Sequence, residues 1–295
     1  MKFLYIGGSN ERQETKQMIL EEAHKFFDTV LFAPLSKIKI ECINGKTKLM
    51  FKGTDLTSFN ACYARFFSKD LMFGEIVLDL LNQSDVFIPL TPEGFQITNH
   101  KYFTVKVLSR ENIPVPVSSL AVTPQTAIDM SNKIGYPVII KLLSGFGGKG
   151  IMLANSESEF RPVLDTLKVF KEFISTQEYV KSENYDIRCL VFGEEVFGIK
   201  RICAEGEWRT NVSRGGKAVE VELSSAMKED ALKVSAILGL GVCAVDFMET
   251  EGKYKLIEVN FAPGFVPDFF GNKFPKILMR YLYKKTKELK AKNSF

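Results

Sequence analysis

Histidine, cysteine and tryptophan are scarce in this chain of 295 residues. With only two histidines, His24 and His100, the chain has little material for a zinc site or a histidine-based catalytic triad. The five cysteines are scattered and show no paired spacing, as expected of a cytoplasmic protein. Cys189 and Cys243 lie in apolar runs, so we expect small buried thiols at these positions.

Long apolar runs are also missing. No stretch approaches the ~20 residues that a membrane-spanning helix requires, and the apolar part of residues 1–10 is too short for a signal peptide. We therefore expect a cytoplasmic protein with no membrane partner. The net charge of +4, from 39 basic and 35 acidic residues, is too small to indicate nucleic-acid binding.

The first third of the chain alternates between strand-like and helix-like patterns, which predicts a small α/β domain over residues 1–94. Asn44-Gly45 is a favoured pair for a tight primed turn, so we expect residues 38–51 to form a hairpin. The predicted helices are 11–27 and 71–82, and the predicted strands are 3–6, 30–32, 61–64 and 86–89.

Two further units are expected, over residues 95–178 and 179–290. The first contains a glycine-rich loop between two strands, and the second is rich in strands and ends in a long helix. The predicted helices are 99–110, 124–134, 157–167, 227–238 and 274–289, and the predicted strands include 136–142, 150–153, 242–248 and 254–259. The fold class predicted for the whole chain is α/β (α+β).

The last two predicted strands form a hairpin with a candidate metal site. Gly252 lies midway between Asp246 and Glu258, so a turn centred there places the two carboxylates opposite each other. Asn260 shares a strand face with Glu258. Opposed like charges within apolar strands are destabilising, and a cation that prefers oxygen ligands, Mg²⁺ or Mn²⁺, would relieve this. The alternative is that the carboxylates pair with arginines from the basic segment that precedes the hairpin.

A glycine-rich loop, residues 145–150, follows a strand that contains Lys141. A strand also follows the loop, so the pattern differs from a dinucleotide fingerprint, in which a helix begins at the loop. Such a loop can close over phosphates with its backbone N–H groups, and a nearby lysine suggests a phosphate contact. The alternative is a flexible turn that binds no ligand.

Residues 188–217 are rich in basic side chains. Arginines bind planar carboxylates and phosphates through paired hydrogen bonds, which suggests an anion site, although a solvated charged loop explains the composition equally well. Trp208 is expected to serve in packing. The basic residues of this segment are Arg188, Lys200, Arg201, Arg209, Arg214 and Lys217.

Seven short stretches occur in a characteristic order. They are Asn-His-Lys-Tyr at 99–102, Tyr-Pro-Val-Ile-Ile-Lys at 136–141, Gln-Glu-Tyr-Val at 177–180, Asp-Ile-Arg-Cys-Leu-Val at 186–191, Glu-Gly-Glu-Trp-Arg-Thr-Asn at 205–211, Arg-Gly-Gly at 214–216 and Glu-Val-Asn-Phe-Ala-Pro-Gly at 258–264. Together they resemble the ATP-grasp superfamily and, within it, the RimK group of α-L-glutamate ligases. The resemblance covers nearly the whole chain.

The resemblance implies an ATP-grasp fold, in which two α+β subdomains clamp ATP after a Rossmann-like N-terminal domain on the acceptor side. Arg65 resembles a family position in that first domain. The residues implied to contact ATP are Lys101, Lys141, Gly147, Gly148, Glu178, Tyr179, Asp186, Arg209, Thr210 and Asn211. Within this set the two lysines are implied to meet the phosphates, Glu178 and Tyr179 the adenine, and Asp186 the ribose.

The resemblance also implies the metal ligands and the catalytic arginines. Mg²⁺ or Mn²⁺, as two ions, would be held by Asp246, Glu258 and Asn260. The candidate catalytic residues, for carboxylate or transition-state charge, are Arg188, Arg201, Arg209 and Arg214.

The implied activity is a carboxylate–amine ligase reaction through an acylphosphate, with glutamate added to a protein tail or a small acceptor. A peptide or glutathione-type ligase, an amino-group-carrier ligase of the LysX type and a nucleotide-binding protein without turnover are the alternatives. A homo-oligomer is compatible with the sequence. Residues 265–270 depart from the family pattern, as do Phe261 and Ala262, and Lys149 is an additional lysine in the glycine loop.

Overall fold

A computed structural model describes residues 1–143, 150–170, 172–207, 209–210 and 215–292 of the chain. The first elements are β1 (Lys2–Gly7), α1 (Gln13–Ala23), β2 (Thr29–Pro34), β3 (Lys39–Ile43), β4 (Lys46–Phe51), β5 (Thr54–Asp55), β6 (Ala61–Arg65), α2 (Leu71–Asn82), α3 (Pro92–Asn99) and α4 (Lys101–Arg110). Strands β2, β1 and β6 form a parallel sheet in that order, and β3, β4 and β5 form a separate antiparallel sheet. The predicted hairpin at Asn44-Gly45 is confirmed, with both residues at positive φ.

Two expectations for this region need correction. The predicted strand at 86–89 is wrong, because Phe87 makes only a single parallel bridge to Ala61 and Pro89 has no N–H to continue a ladder. The predicted helix 99–110 begins at Lys101 and follows a second helix, α3, with which it shares the non-helical residue His100. The side chain of His100 accepts a hydrogen bond from Phe103 N at 3.2 Å and so caps the N-terminus of α4.

The central elements are β7 (Ser118–Ala121), α5 (Pro124–Ile134), β8 (Val138–Lys141), β9 (Ile151–Ala154), α6 (Glu157–Val169) and β10 (Ile174–Glu178). Their strands form an antiparallel sheet in the order β7-β10-β8-β9. Helices α5 and α6 are amphipathic, and their buried faces pack on this sheet around Phe160 and Leu164. This part of the chain therefore has a hydrophobic core of its own.

The last elements are β11 (Tyr185–Phe192), β12 (Glu195–Ile202), β13 (Lys217–Val221), α7 (Ser225–Ile237), β14 (Val242–Thr250), β15 (Lys253–Asn260), α8 (Pro267–Phe270) and α9 (Lys273–Lys292). Their strands form an antiparallel sheet in the order β13-β12-β11-β14-β15. Alternate residues of β11 face opposite sides: Cys189 and Val191 pack with α7, whereas Leu190 and Phe192 pack with α9.

The first sheet and the C-terminal sheet share their cores. One cluster joins Leu4 and Ile6 to Val245 and Phe247, and a second joins Tyr5 to Phe192. The boundaries at residues 94 and 178 stay predictions. Among the described helices, none has the length and apolar character needed to cross a membrane.

Candidate active site

A cleft lies between the central sheet and the C-terminal sheet. Its walls come from helix α4 and from strands of both sheets. One part is apolar, and the other carries lysines, carboxylates and two arginines. The apolar residues include Ile139, Ile151, Val180, Met248, Leu256 and Val259, and the charged residues are Lys101, Lys141, Glu178, Asp186, Arg201, Arg209, Asp246 and Glu258.

The hairpin of β14 and β15 places two of these carboxylates opposite each other. Asp246 and Glu258 are direct partners across the strands, and Ala244 is the partner of Asn260. The register shifts next to the Asp246–Glu258 pair, because Ile257 is an extra residue on β15. The predicted opposition of the carboxylates is confirmed, and Asn260 follows on the same strand face as Glu258.

Asp246 is buried and paired with two arginines. Its carboxylate accepts hydrogen bonds from Arg188 Nε at 2.8 Å and Nη2 at 2.7 Å, and from Arg201 Nη2 at 2.9 Å. Burial favours a higher pKa for Asp246, but the charges of Arg188 and Arg201 outweigh it and hold the pKa below its usual range. The alternative inferred from the sequence, that arginines pair with this carboxylate, is therefore confirmed for Asp246.

Arg201 also binds a second buried carboxylate. Its Nε donates to Asp186 Oδ1 at 2.7 Å and its Nη2 donates to Oδ2, and the Thr210 hydroxyl donates to the same oxygen. Burial raises the pKa of Asp186, although Arg201 opposes the shift. The Arg201 guanidinium thus connects β11 and β14 by binding one carboxylate from each strand, Asp186 and Asp246.

Two lysines lie close to Glu258, the second of the two carboxylates that the sequence predicts as metal ligands. Lys101 Nζ lies 3.5 Å from Glu258 Oε1, and Lys141 Nζ lies 3.5 Å from the carbonyl oxygen of Ile257. Burial lowers the pKa of Lys141 to about 8; Glu258 opposes the shift and Lys101 adds to it. The lysine pair gives this end of the cleft the chemistry of an anion site.

Glu178 ends β10, and residues 179–184 connect the central sheet to the C-terminal sheet. The Glu178 carboxylate accepts from Lys255 Nζ at 2.6 and 2.7 Å and from Val117 N at 3.0 Å. These donors outweigh the effect of burial and lower the pKa of Glu178. Its side chain is therefore engaged by the protein, whereas Tyr179 and Val180 line the cleft.

Sequence reasoning missed Lys255 and the apolar part of the cleft. Lys255 is followed by apolar residues in β15, and a lysine in such a strand indicates a partly buried acidic partner. The sequence does not identify that partner, because Glu178 lies 77 residues away in the chain. Met248 and Leu256 have the apolar character of ordinary core positions, so only their place in the fold identifies them as cleft residues.

Not every predicted site residue falls in the cleft. Arg209 and Thr210 line it, and Arg209 Nη1 lies 3.7 Å from Glu207 Oε2. Arg188 and Asn260 are not among the described residues that line it. The predicted residues Gly147, Gly148, Asn211 and Arg214 lie outside the described residues, as do Lys149 and Trp208.

Comparison with known proteins identifies the family. The model of the RimK-like ATP-grasp domain matches residues 98–267. A protein of Syntrophotalea carbinolica named "Probable alpha-L-glutamate ligase" is 31% identical over 247 residues, 82% of each chain. A protein of the same name from Photobacterium profundum is 33% identical over 217 residues, 72% of each chain.

Solved structures share the fold. A RiPP-associated ATP-grasp ligase of Chryseobacterium gregarium, in complex with ADP and a leader and core peptide, superposes with a TM-score of 0.75 at 17% identity over 97% of each chain. D-alanine–D-alanine ligase of Bacillus anthracis, complexed with ATP, superposes with a TM-score of 0.70 at 17% identity over 99% of each chain. The predicted ATP-grasp fold is confirmed, and the chain belongs to the RimK-like ATP-grasp family of ligases.

Proposed function

We propose that this protein is an ATP- and Mg²⁺-dependent carboxylate–amine ligase that adds glutamate to a carboxylate of a protein or small-molecule acceptor. The observation that carries the proposal is the lysine pair, Lys101 and Lys141, beside the opposed carboxylates Asp246 and Glu258 in one cleft. Phosphate oxygens are anionic and are bound by such cations. Asp246 is already paired with Arg188 and Arg201, and together with Glu258 it offers carboxylate oxygens that a divalent cation prefers as ligands. The names of the bacterial relatives support glutamate as the added amino acid.

The donor set fits a magnesium or manganese ion. Asp246, Glu258 and Asn260 offer two carboxylates and an amide oxygen, which are the hard ligands that these ions prefer. Asp246 already accepts hydrogen bonds from Arg188 and Arg201, yet a carboxylate has about four lone-pair positions, so further acceptor capacity remains. Within the described residues no three His, Cys, Asp or Glu side chains cluster as a metal site, so these ligands would need completion by phosphate oxygens.

ATP would bind along the cleft with its base between the apolar walls and its phosphates toward the lysines. The backbone of residues 178–180 offers hydrogen-bonding groups for the edge of adenine, since the Glu178 side chain is engaged by Lys255. Asp186 and Thr210 would border the ribose. The family resemblance assigns Gly147 and Gly148, which lie outside the described residues, to the phosphates as well.

The proposed reaction has two steps. An acceptor carboxylate attacks the γ-phosphorus of ATP, the bond to the bridging oxygen breaks, and an acylphosphate and ADP form. The glutamate amine then attacks the acyl carbon, loses a proton, and phosphate leaves as the amide bond forms. The metal ions, when bound, would neutralise charge on the triphosphate, and Lys101 and Lys141 would hold the phosphate oxygens in line.

The four candidate arginines divide by their contacts. Arg188 and Arg201 would keep Asp246 and Asp186 charged and oriented, because their guanidiniums already bind these carboxylates. Arg209 lines the cleft, and we assign Arg209 and Arg214 to the substrate carboxylate and to the oxyanion of the second step.

The test is a set of reactions that contain ATP, Mg²⁺, one amino acid and a cell extract, analysed by mass spectrometry. We expect a product that gains glutamyl residues and an ADP release that depends on glutamate. The Glu258→Gln variant should abolish both. A peptide-type or amino-group-carrier ligase would instead respond to another amino acid. If ATP binds but no amino acid or acceptor yields ADP, the ligase proposal is wrong.

A further inference from the structure

Arg65 is a buried arginine with no part in the nucleotide cleft. It ends strand β6 of the first sheet, beside Gly7 of β1, and is only 6% exposed. Its Nε lies 3.2 Å from Glu11 Oε2 in the turn after β1. Its Nη1 donates a hydrogen bond of 2.6 Å to the carbonyl oxygen of Pro263, 198 residues away. The guanidinium therefore connects the first sheet to the chain that leaves the C-terminal sheet.

Pro263 belongs to a connecting segment, residues 261–266, that has no helix or strand. It follows β15 directly after Asn260 and leads to α8. On strand β15, Lys255 binds Glu178 at the connection between the central and C-terminal sheets, here called the hinge, and Glu258, three residues later, faces Lys101. The segment therefore continues past the phosphate end of the cleft, on the side away from the hinge.

The connecting segment is held by side chains of other elements. Phe261 packs edge-on against Phe95 with a centroid distance of 5.0 Å, and Phe265 is buried with its ring 5.8 Å from the Arg65 guanidinium. The segment ends at Val266, which has the left-handed conformation (φ 49°, ψ 59°) that β-branched residues avoid. Such a conformation persists only where the surroundings enforce it. Among these contacts, Arg65 provides a charge-assisted hydrogen bond to the backbone.

We propose that Arg65 is a positioning residue that fixes the connecting segment and thereby sets the affinity for the amino-acid substrate, and not for ATP. This inference rests on the proposed ligase function. ATP would use residues 178–180, the two lysines and the carboxylates, all of which line the cleft, whereas none of residues 261–266 is among the described residues that line it. The acceptor carboxylate and the amino acid must both reach the phosphate end of the cleft, and the connecting segment leaves β15 at that end, directly after Asn260. A buried arginine is costly to desolvate and is retained where it makes specific contacts such as these.

The experiment compares Arg65→Met and Arg65→Lys with the wild type by hydrogen–deuterium exchange and by kinetics. Arg65→Lys keeps the charge beside Glu11 but lacks the fork that also reaches Pro263, so it guards against a variant that fails to fold. Arg280→Met removes an exposed arginine that binds Glu195 and serves as the control. Melting temperatures establish that each variant is folded.

We expect exchange over residues 261–266 to rise roughly tenfold in both Arg65 variants, as loss of a hydrogen bond to a charged group implies. With glutamate as the varied substrate, KM should rise by a similar factor while the KM for ATP changes less than about twofold. Unchanged exchange in folded Arg65 variants, or equal changes in both KM values, would overturn the proposal. If the wild type shows no ligase activity, the exchange measurement still tests the link from Arg65 to the segment, so the two failures are distinguishable.

Discussion

At the residue scale, charge balance decides what each group in the cleft can do. Asp246 and Asp186 are both buried, and each has an arginine directly on its carboxylate. Loss of one member of such a buried pair leaves the other uncompensated, which is far more destabilising than the loss of an exposed pair. Glu258 differs, since its side chain is 35% exposed and faces Lys101 at 3.5 Å. The two opposed carboxylates therefore respond differently to substitution.

The first prediction concerns Glu258 and Asp246. Glu258→Gln should weaken Mg²⁺-dependent ATP affinity by at least roughly tenfold with little effect on folding. The double variant with Asp246→Asn should weaken it further and also lower the free energy of unfolding by ~3 kcal/mol, because Arg188 loses its carboxylate partner and Arg201 loses one of its two. Calorimetric titration with ATP, with and without Mg²⁺, measures the affinity.

Glu251→Gln is the control for this prediction, since Glu251 is an exposed carboxylate in the turn of the same hairpin. It should bind Mg²⁺-ATP as the wild type does. An unchanged affinity of the double variant for Mg²⁺-ATP would contradict the assignment of Asp246 and Glu258 as metal ligands.

The second prediction follows from the lowered pKa of Lys141, about 8. In the ligand-free protein the Lys141 ammonium is lost as pH rises through 8, whereas the unfolded chain keeps its proton up to the usual lysine range. The unfolded state therefore binds more protons in this window, and the contribution of Lys141 to the free energy of unfolding rises with pH. Bound phosphates favour the ammonium, so ATP binding above pH 8 should take up a proton.

Titrations in buffers with different ionisation enthalpies measure this proton uptake. Lys141→Met should abolish it, and the exposed Lys253→Met should leave it intact. A proton uptake that persists in Lys141→Met would assign the effect to another group.

At the element scale, the β14–β15 hairpin determines which side chains meet. Its turn consists of Glu251 and Gly252, both at positive φ, and from there the ladder leads to the Asp246–Glu258 pair. The β3–β4 hairpin has the same construction at Asn44 and Gly45 but lies outside the cleft. The two hairpins therefore form a matched pair, one at the site and one remote from it.

The third prediction compares Gly252→Ala with Gly45→Ala. Both glycines have φ near +75° with no atom within 4 Å of an added Cβ, so only backbone strain opposes the change. Each variant should lower the free energy of unfolding by ~1 kcal/mol, measured by urea denaturation. Only Gly252→Ala should also weaken Mg²⁺-ATP binding. Equal ATP affinities in the two variants would mean that the turn does not control the carboxylate register.

At the scale of the whole molecule, the cleft lies between two parts that have different hydrophobic cores. One part consists of the first sheet and the C-terminal sheet, which share their core, and the other is the central sheet, which has its own. The first sheet and the C-terminal sheet are joined by continuous clusters that include Phe95 and Leu108 of α3 and α4, whereas the described core of the central sheet forms with α5 and α6. Leu256 N donates to Pro114 O at 2.7 Å, and Lys255 binds Glu178, so polar contacts connect the two parts. A ligand in the cleft would contact both.

The fourth prediction is that ATP with Mg²⁺ protects both walls of the cleft from hydrogen–deuterium exchange. Protection should appear in β8 and β10 of the central sheet and in β14 and β15 of the C-terminal sheet. At a ligand concentration of about 100 times Kd, linkage raises the free energy of unfolding by ~2.7 kcal/mol. Protection confined to one sheet would contradict binding between them.

Local patterns in the sequence were sufficient to predict most of the helices and strands and part of the candidate site. The turn glycine and the alternation of β14 and β15 predicted a hairpin in which Asp246 and Glu258 face each other. The two are direct partners because Ile257 is an extra residue on β15, a bulge that the position of the turn does not predict. The strand expected at 86–89 failed because its continuation depends on partners distant in the chain: Leu90 pairs with Leu240 instead.

The sequence by itself thus determined the family motifs, the elements and the carboxylate hairpin. Only the tertiary structure decided that Arg188 and Arg201 bind Asp246 and Asp186, and that Lys255 occupies the carboxylate of Glu178. Periodicity places a side chain on a face of its own element, but it does not say which charged group from another element will lie opposite. Buried charges are paired by three-dimensional proximity, and that proximity exists only after the sheets have packed together.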